Sequence, residues 1–147
     1  MKEGKLQIYC GNGKGKTTAA IGQAIREASK GRSVFIVQFL KGKQEEISFI
    51  KRLEPEIKLF RFQKREEAFE NLTEQEKEEE IPNLKNGLNF ARKVLATGEC
   101  DVLILDEVLG LPEREIATLE ELHSLLEAAE NTDLIFTSLF SFNKQNT

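Results

Sequence analysis

The sequence predicts an α/β fold: a three-layer sandwich with a mostly parallel sheet between helices. Three observations predict it. Short β-branched apolar runs alternate with helical patterns along the chain. A glycine-rich turn joins the first such run to the first helix. No linker or internal repeat divides the 147 residues, so residues 1–147 are expected to form a single domain with a real core.

The elements follow in order. LQIYC (6–10) is a β-rich run entering a glycine loop. TTAAIGQAIREASKG (17–31) is Ala-rich with helical apolar spacing, and Gly31 is expected as its C-terminal cap. SVFIVQFL (33–40) reads as a buried strand and IKLFRF (57–62) as a third strand. From Lys64 to Glu80 the chain is highly charged and is read as a solvated acidic helix face. Thr73 and Glu76 have capping-box spacing, and Pro82 is expected to break or restart the helix there. NLKNGLNFARKVLATG (83–98) is helical up to Gly98. CDVLILDE (100–107) is a continuous apolar strand closing on two acids. LPEREIATLEELHSLLEAAE (111–130) is one amphipathic helix with Pro112 in its first turn. DLIFTSLF (133–140) is the last strand, and residues 141–147 are expected to fray.

Composition removes several classes of function. Hydrophobic residues at 39% and charged residues at 31% suit an ordinary globular protein. No apolar run reaches the roughly 20 residues of a membrane span. The start MKEGKLQIYC lacks a signal-peptide core, so a cytoplasmic protein is expected. A net charge of −4 argues against general nucleic-acid binding. Cys10 and Cys100 are read as reduced thiols. His123, the single histidine, lies in a Leu/Glu helical pattern and is read as structural.

The glycine turn carries the chemistry. A helix N-terminus offers free N–H groups and partial positive charge, which suit an anion. Glycines let the backbone curl around phosphates where a Cβ would obstruct. Gly11, Asn12, Gly13, Lys14, Gly15, Lys16, Thr17 and Thr18 form such a cradle between a strand and a helix. Gly11, Gly13 and Gly15 supply the curl, Lys16 a full positive charge, and Thr17 a hydroxyl able to ligate Mg²⁺. The usual pattern, G-x-x-x-x-G-K-[ST], fails by one residue because Cys10 holds the first position, and Gly11 provides flexibility at the same bend. VLILDE (102–107) then delivers Asp106 and Glu107 at a strand end, where hard oxygens can hold Mg²⁺ directly or through water. The sequence leaves open which acid does so. Together these elements give the fold the P-loop NTPase (RecA-like) type, with nucleotide at the C-terminal edge of the sheet.

GNGKGKTTAAIG (11–22), QFLKGK (38–43) and ILDEVLGL (104–111) resemble the P-loop type cob(I)alamin adenosyltransferases, also called corrinoid adenosyltransferases. The likeness runs over most of residues 5–137. It implies a transferase that binds MgATP and a corrinoid with cobalt reduced to Co(I). Cobalt attacks the 5′ carbon of the ribose, and triphosphate leaves. It assigns catalytic work to Lys16, Thr17, Lys41 and Glu107, and metal contact to Thr17, Asp106 and Glu107. Lys41 is read as a nucleotide or corrinoid contact, with a solvated loop lysine as the alternative. Phe69 matches a family phenylalanine at the corrinoid, with a core or partner-facing residue as the alternative. The likeness also implies self-association as a homodimer.

Two departures stand beside these matches. The family carries a Trp after the third strand, and this chain contains none. Thr137, Ser138 and Leu139 stand where the family reads T-G-R. A P-loop ATPase or kinase, and a non-catalytic nucleotide-binding protein, are the competing readings.

Overall fold

The structure, a computed structural model, describes residues 4–11, 15–42 and 49–139, without the side chains of residues 11, 15–17 and 139. The expected frayed tail at 141–147 lies outside the described residues. Five strands form one sheet: β1 (Leu6–Gly11), β2 (Val34–Gln38), β3 (Ile57–Arg61), β4 (Val102–Asp106) and β5 (Asp133–Leu139). Their order is β1-β5-β4-β2-β3 and every pairing is parallel. The α-helices that flank it include α1 (Gly15–Ala28), α2 (Glu74–Thr97), α3 (Gly110–Glu113) and α4 (Leu119–Ala128).

Alternation along each strand builds two cores. Val102 and Ile104 of β4 pack with Ala20 and Ala24 of α1. Leu103 and Leu105 point the other way, to Leu84 and Leu88 of α2 and Leu125 of α4. A strand buried on both faces reads as a continuous apolar run, which is how 102–105 appeared in the sequence. The result is the expected three-layer sandwich.

Four local expectations are corrected. α1 ends at Ala28, before Gly31. A turn follows in which Gly31 takes φ 84° and donates to the Ala28 carbonyl at 2.9 Å. Gly31 therefore completes that turn and does not cap the last helical residue.

Pro82 lies inside α2 and does not interrupt it. The N–H it lacks would have met the carbonyl of Glu78, an exposed residue where water can replace the bond. The helix is held on both sides of it. Thr73 and Glu76 form the expected capping box, and Leu84, Leu88, Ala91 and Leu95 bury one stripe. Each buried leucine contributes about 1.5–3 kcal/mol, enough together to offset the proline. Gly98 closes the helix at φ 65°, as expected.

The single helix expected over 111–130 is two. Glu115 takes φ 57°, which ends the first turn. Thr118 starts a new helix through its own capping box with Glu121. An apolar period running across a break hid it.

The acidic stretch is not wholly solvated. Glu80 has no exposed surface and binds the amides of Lys64 and Arg65 at 3.0 Å, Arg65 Nη1 at 3.0 Å and Asn83 Nδ2 at 2.9 Å. Burial alone pushes its carboxyl up. The bonds from Asn83, the two amides and Arg65 outweigh burial and hold it below the usual carboxylate range.

Candidate functional site

β1 stops at Gly11 and α1 starts at Gly15, so residues 12–14 connect strand to helix at the C-terminal edge of the sheet. Lys16, Thr17 and Thr18 lie in the first turn of α1, where helical N–H groups lack intrahelical acceptors. Asn12, Gly13 and Lys14 lie outside the described residues. The described backbone thus supplies the strand before the motif and the helix after it.

Asp106 ends β4 at the same edge and is 1% exposed. Thr137 of β5 donates its hydroxyl proton to Asp106 Oδ1. Gln38, its register partner on β2, donates Nε2 to Oδ2 at 3.2 Å. Lys41 Nζ lies 3.0 Å from the same Oδ2 and is 14% exposed. Three neighbouring strands therefore converge on one buried carboxylate. A buried charge persists only when paired and hydrogen-bonded, and Asp106 is both.

Glu107 follows with φ 67° and is 7% exposed. Its N–H donates to Thr137 Oγ1 at 2.9 Å. Leu40 takes φ 65° on the facing side of the site. Non-glycine residues in this region cost about 1–3 kcal/mol each and collect at functional sites. Here one such residue lies beside each member of the Lys41–Asp106 pair.

The loop carrying Lys41 is clamped from behind. Phe69 N donates to the Leu40 carbonyl at 2.9 Å, and Arg61 Nη2 to the Lys41 carbonyl at 2.9 Å. A Cβ on Gly42 would come within 2.4 Å of the Glu66 carbonyl oxygen, so only glycine fits this approach. The Lys41 backbone is thereby fixed, and its ammonium turns inward to Asp106. The solvated-lysine alternative does not describe it. Phe69 is 5% exposed, packs in the core and lies under Lys77 Nζ at 5.7 Å, an arrangement that fits its packing alternative.

Sequence reasoning missed the roles of Thr137 and Gln38. Both carried a signal: each is a polar residue inside an apolar strand, VFIVQ and DLIFTSL. A cleft of about 270 Å³ at the opposite edge of the sheet is lined by Lys5, Glu27, Lys30, Arg32 and Asp133. Arg32 bridges Glu27 and Asp133 there, the latter at 2.9 Å, which reads as an ion-pair clasp remote from the phosphate loop.

The site suits a magnesium ion. The carboxylate oxygens of Asp106 are hard ligands in a position that already requires a cation against it. Among the described residues no cluster of three or more His, Cys, Asp or Glu side chains could hold a metal alone. Further ligands would come from Thr17, from nucleotide phosphates and from water.

The order of the parallel sheet, its flanking helices and the passage from β1 to α1 give an α/β fold of the RecA-like P-loop type. A KaiC-like protein from Pyrococcus horikoshii OT3 is similar in fold, with a TM-score of 0.59 at 18% identity, covering 97% of this chain and 64% of that one. The chain belongs to the ATP:corrinoid adenosyltransferase BtuR/CobO/CobP family, whose profile matches residues 2–139. It is 32% identical to the corrinoid adenosyltransferase of Escherichia coli K12 over 137 residues, 92% of this chain and 68% of that one. It is 32% identical to corrinoid adenosyltransferase CobA of Salmonella typhimurium LT2, covering 86% of this chain and 63% of that one. The corresponding figures for the Pseudomonas aeruginosa corrinoid adenosyltransferase are 30%, 73% and 52%. This is a family of transferases.

Proposed function

We propose that this chain binds MgATP at residues 11–18 and transfers the 5′-deoxyadenosyl group to a Co(I) corrinoid, releasing triphosphate. The observation that carries the proposal is that β1 ends and buried Asp106 closes β4 at the same edge of the parallel sheet. Family membership over residues 2–139 supports the substrate class. Loop amides and Lys16 stabilise the negative charge that grows on the departing triphosphate. Magnesium, when bound, adds positive charge on the phosphate oxygens. Thr17 and Asp106 would hold it, with Glu107 beside them. Asp106 is oriented before substrate arrives, because Thr137 and Gln38 fix its two oxygens. The corrinoid's own cobalt is the nucleophile, so no protein nucleophile is required.

Other parts of the reading join this proposal. Among the described residues no helix is long and apolar enough to cross a membrane. The reading without a nucleic-acid partner fits the charge of −4. Self-association as a homodimer has a candidate surface in edge strand β1, where Leu6 is 41% and Ile8 50% exposed.

Anaerobic incubation with MgATP and chemically reduced corrinoid tests the proposal. The expected products are adenosylated corrinoid, read from the cobalt spectrum, and inorganic triphosphate. Release of ADP in their place would select an ATPase. Lys16→Ala is expected to abolish ATP binding by calorimetry. Nucleotide binding without transfer is the second reading, favoured by Ser138 and Leu139 at the T-G-R position and by the missing Trp. Tight ATP binding with no adenosylated product would select it.

A further inference from the structure

Lys41 meets Asp106 in a place where the proposed metal would also have to stand. Its Nζ lies 3.0 Å from Oδ2, and the two side chains are 14% and 1% exposed. Oδ1 is taken by the Thr137 hydroxyl. Oδ2 receives Gln38 Nε2 as well. The carboxylate therefore has little capacity left for a divalent ion while the ammonium remains. The lysine backbone is not free to withdraw, since Arg61, the Phe69 amide and the tight approach of Gly42 pin the loop.

We infer that Lys41 is the resident counter-ion of Asp106, holding the carboxylate paired and oriented until a divalent metal displaces it. This rests on the metal-site reading of Asp106. The empty site keeps a buried charge compensated, and the lysine supplies what the metal supplies later. Metal entry moves a largely buried ammonium off its carboxylate. That step is unfavourable unless an anion takes up the ammonium, and nucleotide phosphates bring that anion. Lys41 is thus a positioning residue that makes metal binding depend on nucleotide.

Mn²⁺ serves as the probe, with free ion followed by electron paramagnetic resonance. Without nucleotide, Lys41→Met is expected to bind Mn²⁺ at least ten-fold tighter than the unsubstituted protein. Its metal-free melting temperature is expected to fall and to recover on adding Mn²⁺. A merely structural lysine would lower the melting temperature without raising metal affinity. Unchanged or weaker Mn²⁺ binding by Lys41→Met overturns the inference.

Should that variant fail to fold, amine-reactive footprinting of the unsubstituted protein decides. Lys41 labelling is expected to rise several-fold as Mn²⁺ saturates the site, and constant labelling overturns the inference. Asp106→Asn separates the two levels. If it leaves Mn²⁺ binding in the presence of ATP intact, Asp106 is no ligand and the underlying metal reading fails. If it abolishes that binding while Lys41→Met gains nothing, the metal reading stands and the role of Lys41 falls.

Discussion

Thr137 gives its hydroxyl proton to Asp106 Oδ1, and its own Oγ1 accepts the N–H of Glu107 at 2.9 Å. One side chain on β5 thereby orients the carboxylate at the end of β4 and fixes the strained residue that follows it. Each bond is buried, so neither partner can turn to water.

Thr137→Val keeps the shape and removes both bonds. Orphaned buried polar groups cost about 1–3 kcal/mol each, so unfolding free energy is expected to drop by about 3 kcal/mol in urea titration. Thr137→Ser retains the hydroxyl and is expected to lose less than half of that. ATP affinity should follow the same order in the presence of Mg²⁺.

Gly42 and Gly22 should respond in opposite directions to alanine. At Gly42 a Cβ would meet the backbone of Glu66 at 2.4 Å and of Ala68 at 2.8 Å. Backbone cannot yield as a side chain can, so Gly42→Ala is expected to destabilise by about 1–3 kcal/mol and to move Lys41. Gly22 lies exposed within α1 with nothing within 4 Å of its added Cβ. Gly22→Ala is expected to stabilise by about 0.5–1 kcal/mol through helix propensity. Thermal melts of the two variants check both signs.

Acid should weaken the hold of Glu80 on the chain at Lys64 and Arg65. Glu80 titrates in the fold below its ordinary value of 4.5, because its hydrogen bonds outweigh its burial. A carboxyl with a depressed folded pKa contributes stability above the unfolded pKa and loses it as pH falls through the folded one. The denaturation midpoint is therefore expected to decline as pH drops below about 4.5. Glu80→Gln should be less stable at neutral pH and show a shallower acid limb.

The two thiols should react at very different rates. Cys10 is exposed at the end of β1. Cys100 is 4% exposed, and burial pushes its thiol up to about 12. With a thiol reagent at pH 8, one cysteine is expected to react promptly and the second only on unfolding. Rapid modification of both would contradict the packing at the start of β4.

Much of the architecture was legible because its signals are local. Apolar runs at 33–40 and 100–107 marked strands buried on both faces, and the Thr73–Glu76 spacing marked a helix start. Misreadings arose where one local signal overrode another. Helical period across 111–130 concealed the T-x-x-E box at Thr118, and the helix-breaking reputation of Pro82 concealed a helix held by its buried stripe. Acidic composition at 64–80 hid Glu80, whose partners lie 15 and 16 residues earlier in the chain.

The sequence by itself determined an opening strand followed by a helix, the acid pair at the end of β4 and the family resemblance, since each depends on neighbours in the chain. Only the tertiary structure decided what Asp106 touches. Gln38, Lys41 and Thr137 come from β2, the loop after it and β5, between 31 and 68 residues away along the chain. Parallel strands bring such residues together by stacking side by side, and no spacing along the chain records which side chain then meets which carboxylate oxygen.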